Sequence, residues 1–168
     1  MSALLVSRID TTKLYPPFFW NLTEMLDEAL SLKKSFWVIS GFRTYLEQMK
    51  LWSQGRTVYG KICTNAAAGQ SAHNFGIAVD LCLDSTPERS GLQPDWNPES
   101  YEPLRLLAPK HGLVWGGSWT FRDNPHVQWP GYVTGAMMQP LRTAYEAKGL
   151  PAVFAYLDKE GKRRSRHD

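Results

Sequence analysis

Long apolar runs are missing from this 168-residue chain. No stretch approaches the ~20 consecutive apolar residues that a membrane-spanning helix requires, so membrane insertion is not expected. Cysteine is scarce: Cys63 and Cys82 are the only two, their spacing matches no thiolate zinc motif, and they read as free thiols. A strong charge imbalance is lacking too. A net charge of +3 without a visible recognition module argues against nucleic acid as partner. Met1–Arg8 holds too short an apolar stretch, with no preceding basic run, for a signal peptide, so the protein is expected to be made in the cytoplasm without one. Repeats and linkers are also absent. With 43% hydrophobic and 21% charged residues, the chain fits one domain with a genuine core over residues 1–158, expected as a monomer. A basic tail, 159–168, holds five of the nineteen Lys and Arg residues and is expected to be disordered. It serves either solubility or attraction to anionic envelope polymers.

What is present is a set of metal-ligand side chains. His73-x6-Asp80 is followed downstream by Asp123-x2-His126. Two imidazoles and one carboxylate suit Zn²⁺, and three protein ligands leave a fourth tetrahedral position open, which separates a catalytic from a structural site. Asp123, three residues before His126, is the candidate base, near the metal without ligating it. Large apolar residues at 77, 79, 81 and 83 alternate with Ala78, Asp80 and Cys82. That pattern reads as a half-buried strand with Asp80 on its lightly packed face, Cys82 beside it. The same period in Pro125–Trp129 sets His126 and Gln128 opposite Val127 and Trp129. If the two strands are neighbours, both ligands project into one cleft, and His73 arrives from the preceding loop.

Other elements frame these motifs. Pro16-Pro17 opens a helix with Phe19, Leu22, Leu26 and Ala29 on one face. Ser35–Ile39 reads as a buried strand broken by Gly41. Thr44 and Glu47 form a capping-box pattern, so a helix is expected from near Thr44 to Gly55 with Tyr45, Met49 and Trp52 inside. Arg43 then sits in the tight strand-to-helix turn, placed to bind a substrate carboxylate or a developing oxyanion. Gln48, one turn on, either supports it or is solvated. Residues 84–100 read as a long loop with Asp84, Glu88, Asp95 and Glu99 solvated, since their spacing fits no calcium loop. A short helix follows over 103–110, with His111 at its end and outside the site. Trp115, Trp119 and Trp129 either wall a cleft or pack in the core. Gly116-Gly117 allows a close backbone approach or a sharp turn. The segment 141–157 reads as one or two helices broken at Gly149-Leu150-Pro151.

The run Thr64–Asp80, with its Ser-x-His-x2-Gly-x-Ala-x-Asp pattern, together with Gly112–Trp119 and Asp123-Asn124-Pro125-His126, resembles the LAS-type zinc peptidases of the VanY group. Within that group it looks most like phage endolysin L-alanyl-D-glutamate endopeptidases. The resemblance extends upstream through Ser40-Gly41-Phe42-Arg43 and covers roughly residues 10 to 132. It implies an α+β fold of the hedgehog and DD-peptidase kind, a small antiparallel sheet with packed helices. It also implies one Zn²⁺ on His73, Asp80 and His126, with Asp123 as base and Arg43 at the substrate. Gln48, Ser71 and Trp115 are further candidates for substrate contact. Related D-alanyl-D-alanine carboxypeptidases usually carry Glu-x2-His in the last motif, so Asp123 favours the endopeptidase branch. Ser118 stands where many relatives carry an acidic or amide residue.

The expected substrate is therefore bacterial peptidoglycan stem peptides, cleaved at L-alanyl-D-glutamate as in phage lysis. Without an export signal, a separate permeabilising protein would release the enzyme to the wall. Two rivals remain: a D-alanyl-D-alanine carboxypeptidase with the same site, and a metal-bearing wall-binding module without turnover, as in the hedgehog domains.

Overall fold

The computed structural model describes residues 8–164, and the side chains of 162–164 are outside that description. Most of the Met1–Arg8 segment and residues 165–168 of the basic tail therefore lie outside the described residues. The chain divides into two compact units, one formed by residues up to Phe42 with Ile77–Pro130, the other by Arg43–Gly76 with residues from Gly131 on.

The first unit is α+β. Its sheet contains β1 (Phe36–Ser40), β2 (Ala78–Asp84), β3 (Pro94–Asp95), β4 (Val114–Trp115) and β5 (His126–Gln128). The order is β1-β2-β5-β4, with β3 pairing the end of β2, and every pairing is antiparallel. The two ligand strands are thus direct neighbours: Ala78 faces Gln128, Val79 faces Val127 and Asp80 faces His126.

β2 is more deeply placed than a half-buried strand. Ala78, Val79, Leu81 and Cys82 are fully buried, and Asp80 alone in the strand is intermediate. Three strands pair with it, so both edges are covered, and burial of consecutive residues shows that both faces are covered as well. Alternation of small with large side chains cannot report this, because Ala and Cys pack as readily as they face water.

Helix α1 (Pro16–Ser31) begins with prolines in its first turn, where their missing N–H groups cost no hydrogen bond. Its inner face is Phe18, Leu22, Met25, Leu26 and Ala29, all completely buried. Each large side chain of that set contributes about 1.5–3 kcal/mol by leaving water. Phe18 takes the place expected of Phe19, which is half-exposed. The helix packs on β1 and on α3 (Leu104–Lys110).

The stretch 84–100 is not a plain loop. It carries β3 and a 3-10 turn at Pro98–Tyr101. Asp84 is buried rather than solvated and accepts from the backbone N–H groups of Thr86 (3.2 Å) and Gln93 (3.1 Å), which closes the excursion at its base. Tyr101 reaches back to the carbonyls of Leu81 (3.4 Å) and Asp95 (3.2 Å), and burial pushes its phenol well above the usual range.

The second unit contains α2 (Tyr45–Ser53), a 3-10 turn at Ala72–Phe75 and the long α4 (Gln139–Arg164). The capping box forms: the Thr44 hydroxyl accepts from the Glu47 N–H at 3.2 Å, and the Glu47 carboxylate accepts from the Thr44 N–H at 2.7 Å. The buried residue of α2 is Gln48, whereas Met49 is 41% exposed. Tyr45 meets Phe75 and Tyr145 edge-on and tilted, respectively. α4 is interrupted as expected, with Lys148 and Gly149 non-helical just before Pro151.

The helix continues through Arg164, so residues 159–164 are helical where a disordered tail was expected. Lys, Glu and Arg are good helix formers, and cations suit a helix C-terminus. A charge-rich composition does not by itself distinguish a solvated helix end from a tail.

Candidate metal centre and its surroundings

In the first unit, cross-strand pairing sets Asp80 on β2 directly opposite His126 on β5. The Asp80 Oδ1 and His126 Nδ1 atoms are 3.4 Å apart, with the His126 side chain 8% and the Asp80 side chain 22% exposed. Two ligand atoms at zinc bond lengths of ~2.1 Å, held at a tetrahedral angle, are separated by about 3.4 Å. The pair therefore has the separation that two ligand atoms of a zinc ion would need.

His126 has its other ring nitrogen engaged. Nε2 lies 2.9 Å from Gln128 Oε1, and the Gln128 amide nitrogen donates to the Trp129 carbonyl at 3.3 Å. The second bond settles which end of the amide faces the imidazole. An amide oxygen can only accept, so Nε2 carries a proton, and Nδ1, the atom facing Asp80, is the ring nitrogen that a metal would take. Trp119 packs on the ring with centroids 5.1 Å apart. Burial alone would push the His126 imidazole down, but the hydrogen bond and charge of Asp80, the Gln128 amide and the charge of Asp123 together hold it above its usual range.

Asp123 is tied to the same strand entry. Its carbonyl accepts from the His126 N–H at 3.1 Å, and its own N–H donates to the Gly116 carbonyl at 3.1 Å. Trp115 is 2% exposed and its indole N–H donates to the Asn124 carbonyl at 2.8 Å. It is a buried support for the 123–126 loop, and the expected substrate contact is not available to it. Gly116 and Gly117 are required by close approach: a Cβ on Gly116 would stand 2.6 Å from the Asp123 carbonyl oxygen, and one on Gly117 2.1 Å from the Trp115 ring. Ser118 is exposed in the same 3-10 turn.

In the second unit, His73 is 3% exposed within the 3-10 turn Ala72–Phe75, which Gly76 terminates at φ 68°, a left-handed conformation that suits glycine. The His73 carbonyl accepts from the Arg43 N–H at 3.0 Å, so these two expected site residues share a backbone hydrogen bond. The Arg43 guanidinium Nη1 donates to Gln48 Oε1 at 2.9 Å, and Gln48 Nε2 donates to the Ala66 carbonyl at 2.7 Å. Gln48 is thus neither solvated nor presented at the surface. Ser71 precedes the His73 turn, half-exposed, and its carbonyl accepts from Asn74 N–H. Asn74 was not singled out by sequence, yet it is fully buried and bridges the Gly69 N–H to the carbonyls of Arg43 (2.7 Å) and Thr44 (3.4 Å).

Fold and motif together define the class: the chain is similar to the LAS-type zinc peptidases, as its motifs implied. Residues 64–129 match the family described as D-alanyl-D-alanine carboxypeptidase. That segment holds His73, Asp80, Asp123, His126 and Gln128 but not Arg43 or Gln48. Among curated proteins, the chain is 38% identical over 102 residues to the peptidoglycan L-alanyl-D-glutamate endopeptidase CwlK of Bacillus subtilis (strain 168), covering 54% of this chain and 58% of that protein. The chain therefore spans little more than half of that relative's length. Among solved structures, the fold is that of the Serratia marcescens L-Ala D-Glu endopeptidase ChiX (TM-score 0.51, 24% identity, 71% of this chain and 82% of the other). VanYB, solved with D-alanine-D-alanine, gives a TM-score of 0.51 at 18% identity over 85% of this chain and 81% of the other.

Proposed function

We propose that the protein is a zinc-dependent peptidoglycan hydrolase of endolysin type. Residues 1–158 would be its catalytic domain, cutting the bond between L-alanine and D-glutamate in stem peptides. The observation that carries this reading is the direct pairing of Asp80 with His126 beside Asp123, in a chain 38% identical over 102 residues to CwlK. His73, Asp80 and His126 would hold a single Zn²⁺. When bound, zinc supplies a Lewis acid that polarises a carbonyl and brings water's pKa from ~15.7 toward ~7.

The chain's own groups do the rest. Asp123 takes a proton from the attacking water on a carboxylate oxygen and delivers it to the leaving amine nitrogen as the peptide C–N bond breaks, so water is added across the bond without net proton change. Arg43, held by Gln48 through Nη1, offers a guanidinium charge to a substrate carboxylate or to the developing oxyanion. An acidic D-glutamate product side suits that cation. The wall is the site of action, with release through a separate permeabilising protein.

A second reading is favoured by the family match of residues 64–129, whose description is D-alanyl-D-alanine carboxypeptidase. It uses the same residues on a free C-terminus. Digestion of purified peptidoglycan with zinc-loaded and chelated protein, followed by mass spectrometry, separates the two. New N-terminal glutamate appearing only with zinc supports the endopeptidase, and released D-alanine moves the assignment to the carboxypeptidase. Tight zinc binding without cleavage would leave a wall-binding module.

A further inference from the structure

We infer that Gln128 is the positioning residue of the metal centre: by accepting a hydrogen bond from the Nε2–H of His126 it fixes the tautomer and ring orientation that present Nδ1 to a metal. The inference rests on the zinc reading above and adds to it a residue outside the ligand set.

The geometry has three parts. Residues 126 and 128 are two apart on β5, so their side chains leave the same face of the sheet. Across the ladder, Asp80 opposes His126 and Ala78 opposes Gln128. Gln128 is 2% exposed, so water does not compete for its hydrogen bonds.

The amide also has a defined direction. Its nitrogen donates to the Trp129 carbonyl, which points Oε1 at His126 Nε2. Rotating the amide would set an N–H against the ring and break the Trp129 bond. Trp119 restrains the imidazole through its ring. In the alternative tautomer the proton would lie on Nδ1, where it blocks the lone pair that a metal needs, while Nε2 would face Gln128 lone pair to lone pair. Gln128 disfavours that state without adding charge to the centre.

The test compares the full chain with Q128L and Q128E, measuring zinc affinity by competition with a chromogenic chelator. Loss of an outer partner to a ligating histidine typically costs about 10–100-fold in metal affinity, and that fall is expected for Q128L. Q128E retains an acceptor at similar reach and is expected to bind zinc at least as tightly as the parent. Parent-like affinity in Q128L, or an equal loss in Q128E, overturns the inference.

Nitrogen NMR of the zinc-loaded parent protein gives a readout that does not depend on a variant folding. A proton on His126 Nε2 with a metal-shifted Nδ1 is expected, and a proton on Nδ1 overturns the assignment. If the parent chain binds no zinc, the functional reading fails. If it binds zinc and cleaves while Q128L is unaffected, only the role of Gln128 falls.

Discussion

Asp80 and His126 are direct register partners across β2 and β5, and their Oδ1 and Nδ1 atoms stand 3.4 Å apart. This places two of the three proposed ligands on two hydrogen-bonded strands, where relative drift is limited by the ladder itself. Zinc should therefore stabilise the native protein, because the unfolded chain does not keep this pair together. At free zinc 100-fold above its Kd the gain is about 2.7 kcal/mol. Calorimetry should show a zinc-dependent rise in Tm for the parent chain that is absent in Asp80→Ala and His126→Ala, and chelation should abolish both the rise and wall cleavage. A zinc-dependent rise retained by both variants would remove the pair from the ligand set.

Asp123→Asn keeps the carbonyl that receives the His126 N–H and the N–H that reaches Gly116, so the loop should hold. What is lost is a proton acceptor. Positioned general acid–base groups contribute about 10²–10⁴ in rate, and kcat for stem-peptide cleavage should fall by that order while zinc stoichiometry is unchanged. Turnover within a few-fold of the parent would exclude Asp123 from proton transfer.

Sequence pattern carried much of this. The period of 2 in residues 77–83 and 125–129 located both ligand strands, and the capping box located α2. What it could not carry was burial on both faces of β2, since a strand paired on both sides with Ala and Cys among its residues has no polar face to betray its depth. Gln48, Asn74 and Gln128 are the same lesson in another form. Each is a neutral amide, common at surfaces, and only the positions of distant carbonyls and rings show that it is buried and bonded. Trp115 could wall a cleft or pack in the core by its sequence alone, and it packs: the indole N–H is bound to Asn124 and the ring lies against Gly117.

The approach of Gly117 to Trp115 predicts an asymmetric pair of glycine substitutions. A Cβ at Gly117 would lie 2.1 Å from the indole, so Gly117→Ala must displace the ring that anchors Asn124. Overpacking of this kind costs about 1–3 kcal/mol. Gly161 lies in α4 with nothing near its Cβ direction, and Gly161→Ala should be neutral or stabilising by up to about 1 kcal/mol. Denaturant unfolding monitored by tryptophan fluorescence should rank the two in that order.

Acid stability should have a contribution from Glu28, which meets Lys110 at 2.6 Å and His111 Nε2 at 2.8 Å. Lys110 first and His111 second hold its carboxyl below the usual range. A depressed carboxylate stabilises the fold above its unfolded pKa of about 4.3 and loses that contribution as pH falls through the lower folded value. The Tm difference between the parent chain and Glu28→Gln should accordingly shrink toward zero as pH falls from about 5 through the lowered folded value. A difference that grows on acidification would contradict the sign.

Gln48 joins two parts of the second unit that the sequence separates: it accepts from Arg43 Nη1 and donates to the Ala66 carbonyl. Gln48→Leu keeps nearly the same volume, so the cavity contribution is small, but it removes both bonds in a fully buried setting. Leaving a buried polar partner unsatisfied costs about 1–3 kcal/mol, which denaturant unfolding can resolve. The effect on catalysis should be separable from that loss, because Arg43 would keep its charge but not its direction. In protein still folded and zinc-loaded, kcat/KM for stem peptides should fall while zinc affinity stays at the parent value. A variant of unchanged kcat/KM and reduced stability would show that Gln48 serves packing alone, and would leave the aim of Arg43 to its other contacts.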